Sequence, residues 1–326
     1  NDTITKNIMK PPYEITGKIL ELISSISEQI GEIKAAKLTK PPAELRRKNR
    51  IKTIQSSLEI EGNNLTVKQV TNLINNQRII APLNDIIEVK NAIEVYSRLN
   101  SFNPNSVSSL CAAHKLFMKG LTENPGQFRK TSVGIAKGSN ITHVAPPGER
   151  VPFLINDLFN YLENDDDLLL IKSCVFHYEF EFIHPFTDGN GRMGRLWQTL
   201  ILRDYSKVFE FLPVEKLIKD RQQDYYNALG ESDSLGNSTI FIEFMLEIIQ
   251  SALSELLTIQ NLTLSDEGRI ELFGDIIGSS EFSRQDYLRN NKDISSATAS
   301  RDLKKAVEKG ILVKTGDKRL TRYKFK

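Results

Sequence analysis

The run His184-Pro185-Phe186-Thr187-Asp188-Gly189-Asn190-Gly191-Arg192-Met193-Gly194-Arg195 packs an imidazole, a carboxylate, a carboxamide, two guanidiniums and three glycines into twelve residues. Apolar segments flank it, from Leu168-Leu169-Leu170-Ile171 to Phe182-Ile183 before and from Leu196-Trp197 to Leu202 after. The pattern predicts helix, sharp loop, helix, with the polar loop at the rim of a hydrophobic core. Glycines at 189 and 191 permit backbone conformations that set successive N–H groups on one concave side. A helix starting near Gly191 adds its positive end, so the loop is a ready anion site. Arg192 and Arg195 lie three apart, share a helical face and carry donor forks suited to phosphate oxygens. One carboxylate, Asp188, suffices for Mg²⁺ when phosphates supply the remaining oxygens. His184 stands where an imidazole could take a proton from a hydroxyl near neutral pH. No P-loop lysine is present, so the run is not a Walker A site. Together the parts describe a nucleotide polyphosphate site with a metal and a general base.

The spaced pattern His184-x-Phe186-x-Asp188-Gly189-Asn190-Gly191-Arg192-x-x-Arg195 resembles the Fic family signature at every fixed position. The resemblance implies a mainly α fold, a Fic-type helical core with a β-hairpin flap, that moves AMP from ATP to a Tyr, Thr or Ser hydroxyl of a target protein. It implies that His184 deprotonates the hydroxyl and that Asp188 holds Mg²⁺. Gly189, Asn190 and Gly191 would cradle the phosphates, and Arg192 and Arg195 would bind the outer ones. Met193 and Gly194 are counted with them as nucleotide-binding. Ser57-x-x-x-Glu61-Gly62 resembles the inhibitory motif of Fic proteins whose regulatory helix precedes the core. It implies that Glu61 pairs with Arg195 and occupies the guanidinium a terminal phosphate needs. Removal of AMP by a water positioned at Glu61 stays open as an alternative.

Between Pro125 and Pro147, β-branched residues alternate with turn formers and predict a β-hairpin. By the resemblance this is the flap, which adds the target peptide as an edge strand. Ile141, Thr142, His143 and Val144 would lie nearest the nucleotide. Tyr225 and Tyr226 match a tyrosine pair of the family and are expected to stack on or edge the adenine.

The 326 residues divide, on this reading, into an N-terminal helical region (1–80) with the inhibitory helix, the catalytic core (81–262) and a C-terminal domain (263–326). Net charge is +2 overall, but residues 281–326 carry +7, leaving −5 on the rest. Apolar periodicity predicts helices through Ile15–Ile33, Leu45–Leu58, Val89–Leu99 and Val107–Phe117, a helix uniting Leu217, Ile218, Tyr225 and Leu229, and a closing helix through Phe241–Leu253. His114 reads as a core histidine, and Ser265 to Gly268 as a linker or helix end. Beyond it, helices at Ser283–Leu288 and Ser295–Val307 and two strands around Gly316-Asp317-Lys318-Arg319 resemble a small winged-helix (α+β) module. Thr298, Ser300, Arg301, Lys304 and Lys305 would face a DNA groove. The expected partners are thus a target protein at the flap, a homodimer mate, and DNA through residues 281–326. A DNA-binding regulator with a nucleotide-sensing core is the rival from another class. Cys111 and Cys174 read as buried free thiols of a reducing compartment. No membrane span or signal peptide is legible, so a cytoplasmic protein with no membrane partner is expected.

Overall fold

The computed structural model describes residues 10–36, 38–137, 140–264, 266–291, 294–317 and 321–326, with backbone alone over 134–144 and 260–264. Two compact units divide the chain, Asn1–Leu253 and Ser254–Lys326. Residues 1–80 share the first unit with the core.

The first unit opens with α1 (Gly17–Ala35), whose buried stripe is Ile19, Leu22, Ile26, Ile30 and Ile33. The Thr16 hydroxyl caps it by accepting from the Ile19 N–H. Helix α2 (Ala43–Ile60) buries polar Asn49, Thr53, Ser56 and Ser57 as well as Ile51, Ile54, Leu58 and Ile60. It ends where Gly62 takes φ 94°, the Gly62 N–H reaching the Glu59 carbonyl and the Asn63 N–H the Leu58 carbonyl. Thr66 and Gln69 form a reciprocal capping box that starts α3 (Val67–Ile74). Then come α4 (Leu83–Ser97) and α5 (Val107–Phe117).

An antiparallel hairpin follows as expected, β1 (Gly134–Lys137) pairing with β2 (Asn140–Val144) through a register shift between Ile135 and Ala136. After α6 (Val151–Asn164), α7 (Leu169–Ile183) and α8 (Asn190–Tyr205) pack on each other around Phe176, Phe180, Phe186 and Trp197, all fully buried. Each such side chain contributes about 2–3 kcal/mol by leaving water. The helix expected to unite Leu217 with Leu229 is broken in two, α9 (Val214–Asp220) and α10 (Gln222–Leu235), by non-helical Arg221. Helix α11 (Thr239–Leu264) runs past the Leu253 expected to close it.

In the second unit the stretch read as a linker or helix end is a helix end: α11 stops at Leu264 and Gly268 lies in the first turn of α12 (Asp266–Ile277), while Ser265 lies outside the described residues. Ser283 and Asp286 cap α13 (Arg284–Asn290) reciprocally, and α14 (Ser296–Glu308) leads to β3 (Leu312–Thr315) and its antiparallel partner β4 (Arg322–Phe325). Lys318 and Arg319 of the expected turn lie outside the described residues. The core is Ile270, Phe273, Phe282, Tyr287, Leu303 and Leu312. Within it Arg269 makes a two-pronged pair with buried Asp302, Nε to Oδ2 at 2.8 Å and Nη2 to Oδ1 at 2.9 Å, and the Tyr287 hydroxyl adds a bond at 3.1 Å.

Removing one member of such a pair strands the other charge, so Asp302→Ala should destabilise this unit by about 3–5 kcal/mol. Hydrogen exchange resolved by peptide checks it: protection should fall across 266–312 and persist across 169–205.

Candidate active site

Two left-handed residues bound the loop between α7 and α8. His184 caps α7 with φ 48° and ψ 60°, and Gly189 caps α8 with φ 83°. A side chain at 189 would strike the Met118 Sδ at 2.7 Å, so the glycine is required by space as well as by backbone. Inside the loop the Asn190 side chain accepts from the Phe186 N–H and donates to the Phe186 carbonyl, both at 2.9 Å. Helix α8 therefore starts with its first N–H groups fixed in direction, which is what an anion site needs.

His114 pins the loop from α5. The Gly126 N–H donates to its Nδ1 at 2.8 Å, which leaves the ring proton on Nε2, and Nε2 donates to the Asp188 carbonyl at 2.9 Å. The ring stacks on Phe186 with centroids 3.6 Å apart. Burial pushes its pKa down to about 4, so the imidazole is neutral, the core histidine anticipated from the sequence.

The two arginines take different partners. Arg195 is buried; its Nη2 donates to Glu61 Oε1 at 2.6 Å and to the Ser57 carbonyl at 3.0 Å, and its Nε to the Ser57 hydroxyl at 3.2 Å. Burial opposes the Arg195 charge, but Glu61 outweighs it and holds the guanidinium firmly protonated. The Glu61 carboxylate lies so close over α8 that a Cβ at Gly191 would meet its Oε1 at 2.5 Å. Arg192 is equally buried and pairs with Glu88 of α4 at 2.9 Å and Asp188 at 3.1 Å. Asn63, just past the inhibitory-type motif, donates to the other Glu88 oxygen at 2.8 Å.

A cavity of about 1080 Å³ opens beside these groups. Its lining includes His184, Gly191, Arg195, Tyr225 and Tyr226, together with Glu61, Glu181, Glu231 and Asp233. Four carboxylates thus share the cavity with one arginine. Strand β2 runs against α10, the helix that carries the two tyrosines. Tyr225 is buried and its hydroxyl bonds His177 Nε2 at 3.1 Å, whereas Tyr226 is 37% exposed. Gln198 accepts from His177 Nδ1, so the His177 proton sits there and Nε2 accepts from Tyr225; burial pushes the His177 pKa down to about 3. Of the expected nucleotide-binding run, Gly191 and Arg195 border this cavity, whereas Asp188, Gly189, Asn190, Arg192, Met193 and Gly194 do not, and Met193 is fully buried. Gly194 abuts Glu181 and His177, where a Cβ would clash at 2.6 Å and 2.9 Å. The side chains of Ile141, Thr142, His143 and Val144 lie outside the described residues.

Asp188 has a 57% exposed carboxylate whose Oδ1 accepts from the Gly189 N–H and Arg192. Among the described residues no group of three or more His, Cys, Asp or Glu side chains could hold a metal alone. The donor set fits a divalent cation only where phosphates complete the shell.

Behind Arg195 lies a relay the sequence did not disclose. Ser57 also interacts with the Tyr96 hydroxyl, which donates to Glu215 Oε1 at 3.0 Å. Glu215 is fully buried on α9, and burial pushes its carboxyl up to about 7. Its folded pKa lies above the unfolded value, so the folded state binds the extra proton and stability is lost as pH rises from about 4.5 to 7. Glu215→Gln should therefore raise the midpoint of thermal unfolding relative to wild type at pH 8 and leave it nearly unchanged at pH 4.

The combination of helix start, imidazole and buried arginines is that of proteins that handle a phosphate chain, and comparison with known proteins narrows it to a family. The Fic/DOC family pattern matches residues 104–202. A crystal structure of a Fic family protein from Desulfovibrio desulfuricans is 40% identical, with 97% of this chain and 98% of that one covered at a TM-score of 0.75. The chain belongs to the Fic family. A probable protein adenylyltransferase of Aquifex aeolicus is 27% identical over 72% of this chain and 76% of its own length. The protein adenylyltransferase Fic of Nematostella vectensis is 26% identical over 70% of this chain and 55% of its own. By their names these relatives are nucleotidyltransferases. Fic-1 of Caenorhabditis elegans, 19% identical with a TM-score of 0.62 over 74% of this chain, shares the fold. Among the described residues no helix is long and apolar enough to cross a membrane.

Proposed function

We propose that the chain is a protein adenylyltransferase held in check by Glu61. The carrying observation is the 2.6 Å pair between Glu61 and Arg195 on the wall of a cavity that His184 also lines. In this reading ATP lies along the start of α8 with its base toward Tyr226, and a hydroxyl of the target approaches from the flap. The hydroxyl oxygen attacks the α-phosphate in line, His184 takes its proton, and pyrophosphate leaves. Asp188 would hold Mg²⁺, which when bound would balance charge on the phosphate oxygens. Glu61 occupies the donors a terminal phosphate requires, so the nucleotide settles in a pose unsuited to attack.

Freeing Arg195 restores one charge-assisted interaction, so Glu61→Gly should raise incorporation of labelled AMP by roughly tenfold or more. Adding His184→Ala should abolish the gain. Mass spectrometry of lysate proteins after incubation with ATP and Mg²⁺ reads both. Wild type releasing free AMP from modified protein, with no gain in Glu61→Gly, would favour hydrolysis over transfer.

The C-terminal unit we read as a winged helix whose α14 contacts DNA. Arg301 and Lys304 are exposed on α14, with Arg322 and Lys324 exposed on β4. Lys304 has Glu308 within 3.7 Å and Lys305 has Asp266 within 2.6 Å, so Arg301 is the least encumbered of these α14 cations. Retention of the full chain on a DNA fragment should fall linearly with log salt, and Arg301→Ala should lower that slope by about one. Salt-independent retention would remove this role.

A further inference from the structure

Arg129 lies in the stretch read as the flap, ahead of β1, and the backbone of the His184 loop converges on it. It is buried at 3% exposure. Its Nε donates to the His184 carbonyl at 2.7 Å, and its Nη2 to the Ile183 carbonyl at 3.0 Å. Its own backbone N–H donates to the Pro185 carbonyl at 2.9 Å. Three consecutive carbonyls, those of 183, 184 and 185, thus point to one residue. The remaining donors turn the other way: Nη1 reaches the Thr131 carbonyl and Nη2 the Pro146 carbonyl, both at 2.7 Å. Those two residues stand just outside the hairpin, Thr131 before β1 and Pro146 after β2.

The guanidinium therefore joins two things that the chemistry must bring together. One is the peptide carrying His184, whose left-handed backbone costs a non-glycine residue about 1–2 kcal/mol unless its surroundings hold it. The other is the base of the flap. The phosphate cradle is held separately, by the Asn190–Phe186 pair and by His114 on the Asp188 carbonyl. Those supports do not pass through Arg129.

We propose that Arg129 is a positioning residue for transfer, fixing the His184 peptide in register with both ends of the flap so that the imidazole meets the target hydroxyl. The inference rests on the adenylyltransferase reading. It predicts a split between chemistry and nucleotide binding. A hydrophobic or hydroxyl substitute leaves the carbonyls unanswered and lets His184 relax, while ATP still finds its cradle.

The test is made in the Glu61→Gly full chain. Adding Arg129→Ala should lower kcat for AMP transfer about 10²-fold, the scale of an ångström misplacement, with the calorimetric Kd for Mg-ATP within about threefold. Methylguanidinium supplied in solution should refill the vacated space and recover at least about tenfold of the rate, which a generally loosened fold would not allow. Should Arg129→Ala fail to fold, Arg129→Lys serves, since a single ammonium cannot span the same fan of carbonyls. Its kcat should fall at least about tenfold with ATP binding kept. An unchanged kcat, a loss of ATP affinity as steep as the loss of rate, or no recovery with methylguanidinium in a folded Arg129→Ala overturns the proposal. Absence of transfer in Glu61→Gly alone would instead overturn the adenylyltransferase reading.

Discussion

A guanidinium withdrawn almost wholly from water has to be satisfied by the protein, and Arg195 is satisfied by α2. An unpartnered buried charge costs several kcal/mol, more than a loop could absorb. Its hydrogen bonds to side chains and carbonyls end on Ser57 and Glu61, more than 130 residues earlier in sequence. The site is therefore complete only when α2 is docked, and docking is driven by the burial of Ile51, Ile54, Leu58 and Ile60. Helix α2 and helices α7 and α8 accordingly lie in one compact unit. Ser57 holds Arg195 by two bonds beside the Glu61 pair.

The loop before α8 solves a second constraint. It must reverse direction between two packed helices and still present N–H groups outward. Left-handed conformations at His184 and Gly189 make the reversal, and only one of them is glycine. Strain at the other is tolerated because neighbouring carbonyls have strong donors and because Phe186 is locked in the core against His114. Packing and polar bonding cooperate here: the stacked ring orients the imidazole that in turn holds the Asp188 carbonyl.

What the sequence disclosed follows from where chemistry is concentrated. His184, Asp188, the glycines and the arginines stand within twelve residues, so their joint meaning is local and legible. The Gly62 helix stop and the Thr66 capping box are likewise local, each closed by bonds that span only a few residues. Arg129, Glu88 and Glu215 were missed because their partners lie far away in sequence, and Arg129 bonds carbonyls, which every residue has. An arginine between Phe128 and Lys130 reads as surface charge. Helix α2 forms where the spacing of Leu45, Ile51, Ile54 and Leu58 predicts it, but that spacing gives no sign that Asn49, Thr53 and Ser57 are buried as well. The break at Arg221 has neither proline nor glycine to announce it. Two glycines, Gly268 and Gly274, diluted the signal of α12, yet a side chain at 274 would press the Phe325 ring at 3.0 Å. Contact with a strand fifty residues later, not local propensity, sets that position.

The two motif arginines differ in how their partners are placed. Both are paired as the structure stands, Arg192 with Glu88 and Asp188, Arg195 with Glu61. The cavity, however, is bordered by Glu61 and Arg195 and not by Glu88 or Arg192. Glu88 is moreover tied by Asn63, which donates to its second oxygen. Glu61 sits at the end of its helix with its carboxylate 30% exposed, followed by a glycine. An incoming anion therefore meets Glu61 first, and meets it among three further carboxylates that repel the same anion. Displacing Glu61 removes one negative charge and uncovers one positive one in a single movement. The position of that one side chain thus governs how much positive charge Arg195 presents to the cavity.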